Sequence, residues 1–193
     1  MAFFDDNDSF YFPPIAWYCS QTNTSKHQAV EIALKTFIQL NQQEQIRAYR
    51  GKLHWEDDLN SIRENDDNCW FQCLDRLFHG VVTFQTNTLD DLLSRQLIAI
   101  GDLILTEVLQ GFRDDKDYQI ALQLLQSLYC YEMVNKTLAL KAAQNYRILR
   151  KQGMTIRKTI DVFIATFCIE NNCHLLHSDK DFDKMLILRL KTI

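Results

Sequence analysis

The stretch QLIAIGDLILTEVLQGF, residues 96–112, passes from an apolar run into a helical repeat at a single glycine. QLIAIGD reads as a buried strand ending at Gly101, and Asp102 is placed to cap the helix that follows. Downstream the alternation continues. A helix is predicted over residues 117–128, a strand over CYEMV (130–134), and a helix from Thr137 to Gln152 closed by Gly153. A helix over TIDVFIATFCIEN (159–171) and a strand over CHLLHSD (173–179) complete the series. Strands alternating with helices predict an α/β fold with a parallel central sheet, and ligands of such sheets gather beyond the carboxyl ends of the strands.

Three acidic residues fall near that edge. Glu107 lies on an otherwise apolar helix face, so its carboxylate is expected to point inward, where it needs a partner. Asp161 opens a helix, where a first-turn acid ordinarily answers the helix dipole. Asp179 follows the apolar HLL, where an acid is ordinarily a turn residue. Taken together they read differently, because carboxylates converging at one sheet edge repel each other unless cations hold them. Oxygen donors with room for water favour Mg²⁺ or Mn²⁺ over zinc. Arg147, Arg150, Lys151, Arg157 and Lys158 lie just ahead of Asp161 with no acid among them. Beside an acidic metal pocket such a patch suits a phosphate backbone, and metal-assisted phosphodiester hydrolysis becomes the natural reaction.

Composition sets the outer bounds. With 193 residues, 47% of them hydrophobic, the chain can bury a core for one ordinary domain and a smaller one. Five Gly and two Pro argue against low complexity, and the net charge of −4 leaves no global basic footprint. The acidic start MAFFDDNDSF is unlike a signal peptide, so the expected compartment is the reducing cytoplasm, with the six Cys as thiols.

Upstream, Thr24 or Ser25 can cap a helix whose apolar positions are Val30, Ala33, Leu34, Phe37, Ile38 and Leu40. Gly51 ends that periodicity, and a short amphipathic piece follows at Leu53, Trp55, Leu59 and Ile62. A unit of this size has little core of its own and is expected to need a partner surface.

Three segments, GDLILTEVLQGF, NYRILRKQGMTIRKTIDVFIATFCIE and LLHSDKDF, resemble in order and spacing the PIN domain of VapC-type toxins, over residues 80 to about 185. The resemblance implies a metal-dependent endoribonuclease with an α/β/α fold, acting on RNA. It makes Glu107, Asp161 and Asp179 metal-binding carboxylates, with Asp181 as an accessory one. SKHQAVEIALKTFIQLNQQEQIRAYRGKLHWEDDLNSIREND resembles the partner antitoxin, VapB, whose tail blocks the toxin site. That family plugs the acidic pocket with a basic residue and an aromatic anchor, for which Arg50 and Trp55 are the candidates here. Its amino-terminal half forms a dimer on operator DNA, which would add DNA and a second copy to the partners. Residues 1–23 lack the strand and first helix of that unit and argue against DNA binding. The chain therefore divides into an antitoxin-like segment (1–65), a junction (66–80) and a PIN-like domain (81–193). A non-catalytic relic that keeps toxin or antitoxin contacts is the alternative.

The junction explains itself through the genetic code. NDDNCWFQCLDRLF, residues 65–78, shows no clear helical or strand period. Yet the family opens with a strand such as Ile-Val-Asp-Ser-Ser-Val-Trp-Ile-Asp, whose first Asp is the fourth metal ligand. By count back from Gly80 its place is held by Trp70. Permitted codons for residues 65–78, read one base later, give Met-Met-Ile-Ile-Val-Gly-Ser-Ser-Val-Trp-Ile-Asp-Tyr. Only a Gly stands where Asp is expected, and restoring that Asp turns the Trp70 codon into a stop. An antitoxin gene ending after Cys69 and a toxin gene overlapping it, joined by a lost stop and a frame change near Gly80, accounts for the segment. It also accounts for Cys69 and Cys73 without zinc. The loss of one carboxylate, with Asn68, Gln72 and Asp75 where an apolar run is expected, predicts weak or absent nuclease activity. The nucleotide sequence of the gene is expected to encode the toxin start in the shifted frame, and a gene that does not removes this account.

Overall fold

The computed structural model describes residues 15–53 and 72–193 and divides the chain into two compact units, residues 1–39 and 40–193. The first contains α1 (Ile15–Thr22) and most of α2 (Lys26–Ala48). Ser25 starts α2 with a reciprocal pair, Gln28 N–H donating to Ser25 Oγ at 3.2 Å and Ser25 N–H to Gln28 Oε1 at 2.9 Å. Of the two caps the sequence offers, Ser25 makes these bonds. The predicted apolar stripe forms a helix but not a buried face, since Val30, Leu34, Phe37 and Ile38 are 45–64% exposed. Trp55, Leu59 and Ile62 lie outside the described residues.

The second unit takes in the end of α2 and then α3 (Gln72–Phe78), α4 (Phe84–Arg95), β1 (Ala99–Gly101), α5 (Asp102–Leu109), α6 (Asp115–Leu125) and β2 (Tyr129–Tyr131). After them come α7 (Lys136–Lys151), α8 (Thr159–Glu170), β3 (His174–Leu175), α9 (Lys180–Met185) and β4 (Lys191–Thr192). Local chemistry fixes the helix starts. Thr83 and Thr86 form a capping box at α4, Asp114 accepts from Lys116 and Asp117 N–H at α6, and Asn135 accepts from Leu138 N–H at α7. Asp102 is the first residue of α5 rather than its cap. Its Oδ1 accepts from Leu103 N–H at 2.8 Å and from Met133 N–H at 3.1 Å, which ties the exit of β2 to the start of α5.

The strands are parallel as the alternation predicts, and among the described residues they form two separate pairs rather than one continuous sheet. β1 pairs with β2 through Ala99–Tyr129, Ile100–Cys130 and Gly101–Tyr131, and β3 pairs with β4 through His174–Lys191 and Leu175–Thr192. The molecule is thus a mostly helical α/β structure.

Residues 72–78 correct the sequence reading. They form a helix, not the remnant of a strand, because Cys73, Leu74, Leu77 and Phe78 fall at i, i+1, i+4 and i+5 and bury one face. Gln72 begins that helix, and Asp75, half-buried on it, pairs with His79 Nδ1 at 2.6 Å, so neither takes a place in a central strand. Burial pushes the Cys73 thiol up to about 11, so it behaves as a small apolar group rather than a reactive thiolate.

One core joins Ile46, Leu77, Phe78, Leu93, Ile100, Leu125, Leu149, Ile164, Phe182 and Met185. The end of α2 enters it through Gln43, which is fully buried. Its amide Nε2 donates to Leu93 O at 2.9 Å and to Gln96 O at 2.6 Å, and its Oε1 accepts from Ile98 N–H at 3.1 Å. All its amide groups are engaged in satisfying backbone between α4 and β1. Gly51 and Gly80, which follow α2 and α3, meet back to back at φ +70° and +73°. Gly51 N–H donates to Leu77 O at 3.1 Å, and a Cβ on Gly80 would lie 3.0 Å from Gly51 Cα. Gly153 has φ +77° but open space around it. Gly153→Ala is expected to cost about 1 kcal/mol from the left-handed backbone alone. Gly80→Ala is expected to cost about 2–4 kcal/mol, since the clash adds to it. Urea denaturation of the two variants measures the difference.

Candidate metal and phosphate site

α8 and the β3–α9 connection bring three carboxylates together. Asp161 sits in the first turn of α8, Asp179 is the N-cap of α9, and Asp181 lies in its first turn. All three are buried, and one oxygen from each lies within 4.8 Å of the others. The backbone enforces this. Asp179 Oδ1 accepts from Asp181 N–H at 2.6 Å, and Asp181 Oδ2 accepts from Arg157 N–H at 3.3 Å. At such separations a pair of ionised carboxylates repels by about 3–4 kcal/mol for an effective dielectric near 20.

The cost falls on Asp161. At 2% exposure its carboxyl is pushed up to about 7, chiefly by burial, then by the charge of Asp179. Lys158 opposes the rise, and Asp181 and Glu107 add smaller contributions to it. A first-turn position worth about 0.3–1 kcal/mol from the helix dipole does not outweigh this. Asp161 Oδ2 is buried and accepts no hydrogen bond among the described residues, nor does Lys158 Nζ, also buried, donate one. Nearby in sequence, His177 is buried with its ring tilted at 57° against Phe182, the ring centroids 5.2 Å apart. Its Nδ1 is without a hydrogen-bond partner, and burial lowers its pKa.

Asp161, Asp179 and Asp181 line a cavity of about 140 Å³ together with Arg157, Lys158, Lys180 and Lys184. Lys184 forms an ion pair with Asp181 and donates to Thr155 O at 3.4 Å. Lys180 and Arg157 are exposed. Of the basic residues singled out in the sequence, Arg157 and Lys158 therefore reach the cleft, whereas Arg147, Arg150 and Lys151 are exposed on α7 and do not line it. Glu107, half-buried on α5, stands outside the close group of three, although its charge reaches Asp161. Arg50 is turned to α4, donating to Asn87 Oδ1 at 2.9 Å and standing 3.9 Å from Asp90, and is not among the cleft residues. Its companion Trp55 and the junction residue Trp70 lie outside the described residues. Lys180 and Lys184 escaped the sequence reading. Their signal is local, since Lys184 follows Asp181 at i+3 on a helix, within pairing reach.

An all-oxygen donor set, a bare buried carboxylate oxygen and mutual repulsion suit a hard divalent cation. Among the described residues no helix is long and apolar enough to cross a membrane.

No protein-family model matches the chain. Over 86 residues it is 31% identical to VapC ribonuclease Mb1587 of Mycobacterium bovis, a match covering 45% of this chain and 64% of that protein. Ribonuclease VapC11 of Mycobacterium tuberculosis, from strains CDC 1551 and H37Rv, matches with the same identity and coverage. The chain contains a region similar to VapC-type toxins. It spans 64% of the length of these curated relatives.

The raised pKa of Asp161 makes it a stability cost in the metal-free protein. Below the unfolded value near 3.8 both states hold the proton and nothing is lost; between there and about 7 the unfolded chain ionises first, so stability falls as pH rises. Asp161→Asn is therefore expected to leave metal-free stability nearly unchanged at pH 4 and to raise it by about 2–4 kcal/mol above pH 7. Denaturant melts in a chelator across that range check both the sign and the window.

Proposed function

We propose that the second unit derives from a VapC-type endoribonuclease toxin of PIN-like fold and that its cleft is a Mg²⁺- or Mn²⁺-dependent phosphodiesterase site of impaired activity. The observation that carries this is the convergence of Asp161, Asp179 and Asp181, buried within 4.8 Å of one another beside four basic side chains. Similarity to VapC ribonucleases over 86 residues supports the choice of RNA as substrate and of an antitoxin as partner.

Asp161, Asp179 and Asp181 would hold the cation, with Glu107 completing the acidic wall from α5. Bound there, the ion supplies Lewis-acid stabilisation of a phosphoryl oxygen and a water of lowered pKa. The chain's own residues do the rest. Arg157, Lys158, Lys180 and Lys184 attract the phosphate backbone without reading its sequence, and the exposed Arg147, Arg150 and Lys151 extend that attraction along α7. Asp179 and Asp181 are oriented by the backbone bonds of the α9 turn, so they enter the reaction already positioned.

Residues 24–65 are read as the VapB-like segment and residues 65–80 as the out-of-frame join. Impairment follows from the loss of the family's first-strand Asp, whose sequence place falls to Trp70. That route to low activity fits the arrangement better than a plug at Arg50, whose guanidinium is engaged on α4. The cytoplasm is the compartment in which such a system acts.

The purified chain is expected to bind Mn²⁺, read as a rise in melting temperature and by calorimetric titration. Both signals should disappear in Asp161→Asn and in Asp179→Asn. Because the proton on Asp161 competes with the ion, affinity should fall by up to about tenfold per pH unit below 7. Wild-type protein with no Mn²⁺ binding at pH 8 sinks the reading. Cleavage of RNA at the rate of a VapC protein that retains its first-strand Asp sinks the claim of impairment alone.

A further inference from the structure

The cleft holds a buried ammonium and a buried carboxyl oxygen, Lys158 Nζ and Asp161 Oδ2, that feel each other's charge but are hydrogen-bonded neither to each other nor to anything else described. The other cations of the cleft are accounted for. Lys184 is committed to Asp181 and to Thr155 O, while Lys180 and Arg157 are exposed to solvent. An ammonium withdrawn from water without an acceptor is costly, so its place in the folded protein calls for an anion that arrives later. That anion must sit beside three carboxylates, which repel any acid lacking a cation of its own.

A phosphodiester meets both conditions. One non-bridging oxygen can accept from an ammonium while the other faces a cation held by carboxylates. We infer that Lys158 is the phosphate-binding residue of the cleft, its Nζ taking a non-bridging oxygen of the phosphodiester of a single-stranded nucleic acid. This rests on the phosphodiesterase reading of the site and adds to it a division of labour. Asp161 serves the cation and Lys158 serves the phosphate, whereas the exposed cations give only diffuse attraction.

The test uses the full chain and two separate readouts. Calorimetry with Mn²⁺ alone reports the carboxylates. Anisotropy of a short labelled single-stranded oligoribonucleotide in Mn²⁺, checked on a gel for integrity, reports the phosphate grip, and an oligodeoxyribonucleotide of the same sequence shows whether the grip needs RNA. Lys158→Gln is expected to keep Mn²⁺ binding, which also certifies its fold, and to weaken oligonucleotide binding by at least about tenfold. Lys180→Gln should weaken it by no more than about threefold, and Lys158→Arg should recover part of the loss. Lys158→Gln that binds the oligonucleotide as tightly as wild type, or no more weakly than Lys180→Gln, overturns the assignment while leaving the metal site standing. Loss of Mn²⁺ binding in Lys158→Gln also overturns it, because Lys158 would then be holding the carboxylates in place. Wild-type protein that binds no Mn²⁺ removes the site reading and this inference together.

Discussion

Mutual repulsion among buried carboxylates is the constraint around which the second unit is arranged. Asp179 and Asp181 cannot move apart, because one accepts the other's N–H and Arg157 N–H holds the second. Asp161 arrives from a different helix, in the first turn of α8, and is buried against them. Lys184 offsets the charge of Asp181 through an ion pair, but Asp161 has no such bond to its Oδ2 and keeps a proton up to about pH 7 instead. A site that stores a proton where a cation fits is strained in one particular way. Its cost is greatest when Asp161 is ionised, because the repulsion the fold maintains is then without a proton to relieve it.

Much of this was legible in the amino-acid order. The alternation of apolar runs and helical repeats from residue 96 onward gave the helices within a few residues, because Gly101, Asn135, Gly153 and Asp179 punctuate them chemically. Asp161 and Asp179 were visible as acids at a helix start and after an apolar strand, each ordinary alone and informative only as a set, whereas Asp181 entered through the family resemblance. Glu107 was read by the same logic, yet helix spacing cannot say how far α5 stands from α8, and Glu107 lies outside the close group. The upstream helix carries the expectation of a unit with little core of its own. Periodicity shows that Val30, Leu34, Phe37 and Ile38 share a face, but not whether anything covers it, and they are exposed. At residues 72–78 the error was in the period. Four apolar residues in seven, with charges between them, suit one buried helical face too short for a clear repeat.

Gln43 shows what no pattern could. A glutamine on a helix among other glutamines, in NQQEQ, carries no sign that one side chain is fully buried and closes three backbone hydrogen bonds. Its role follows from tertiary proximity alone, since Leu93, Gln96 and Ile98 lie some fifty residues away in sequence. Through that amide, and through the Gly51–Gly80 contact, the end of α2 and the turn after it are tied into the same compact unit as the acidic cleft.

The split of the described strands into two parallel pairs bears on what holds the three close carboxylates in place. In the family this chain resembles, the first strand lies at the sheet centre and supplies the fourth ligand. Here the described residues of that region form α3, and β1–β2 and β3–β4 pair separately. The three close carboxylates depend on neither pair directly. They hang on the first turn of α8 and the cap of α9, held by bonds between residues 157 and 181. A change at the amino-terminal side of the unit would therefore leave these local bonds between residues 157 and 181 in place.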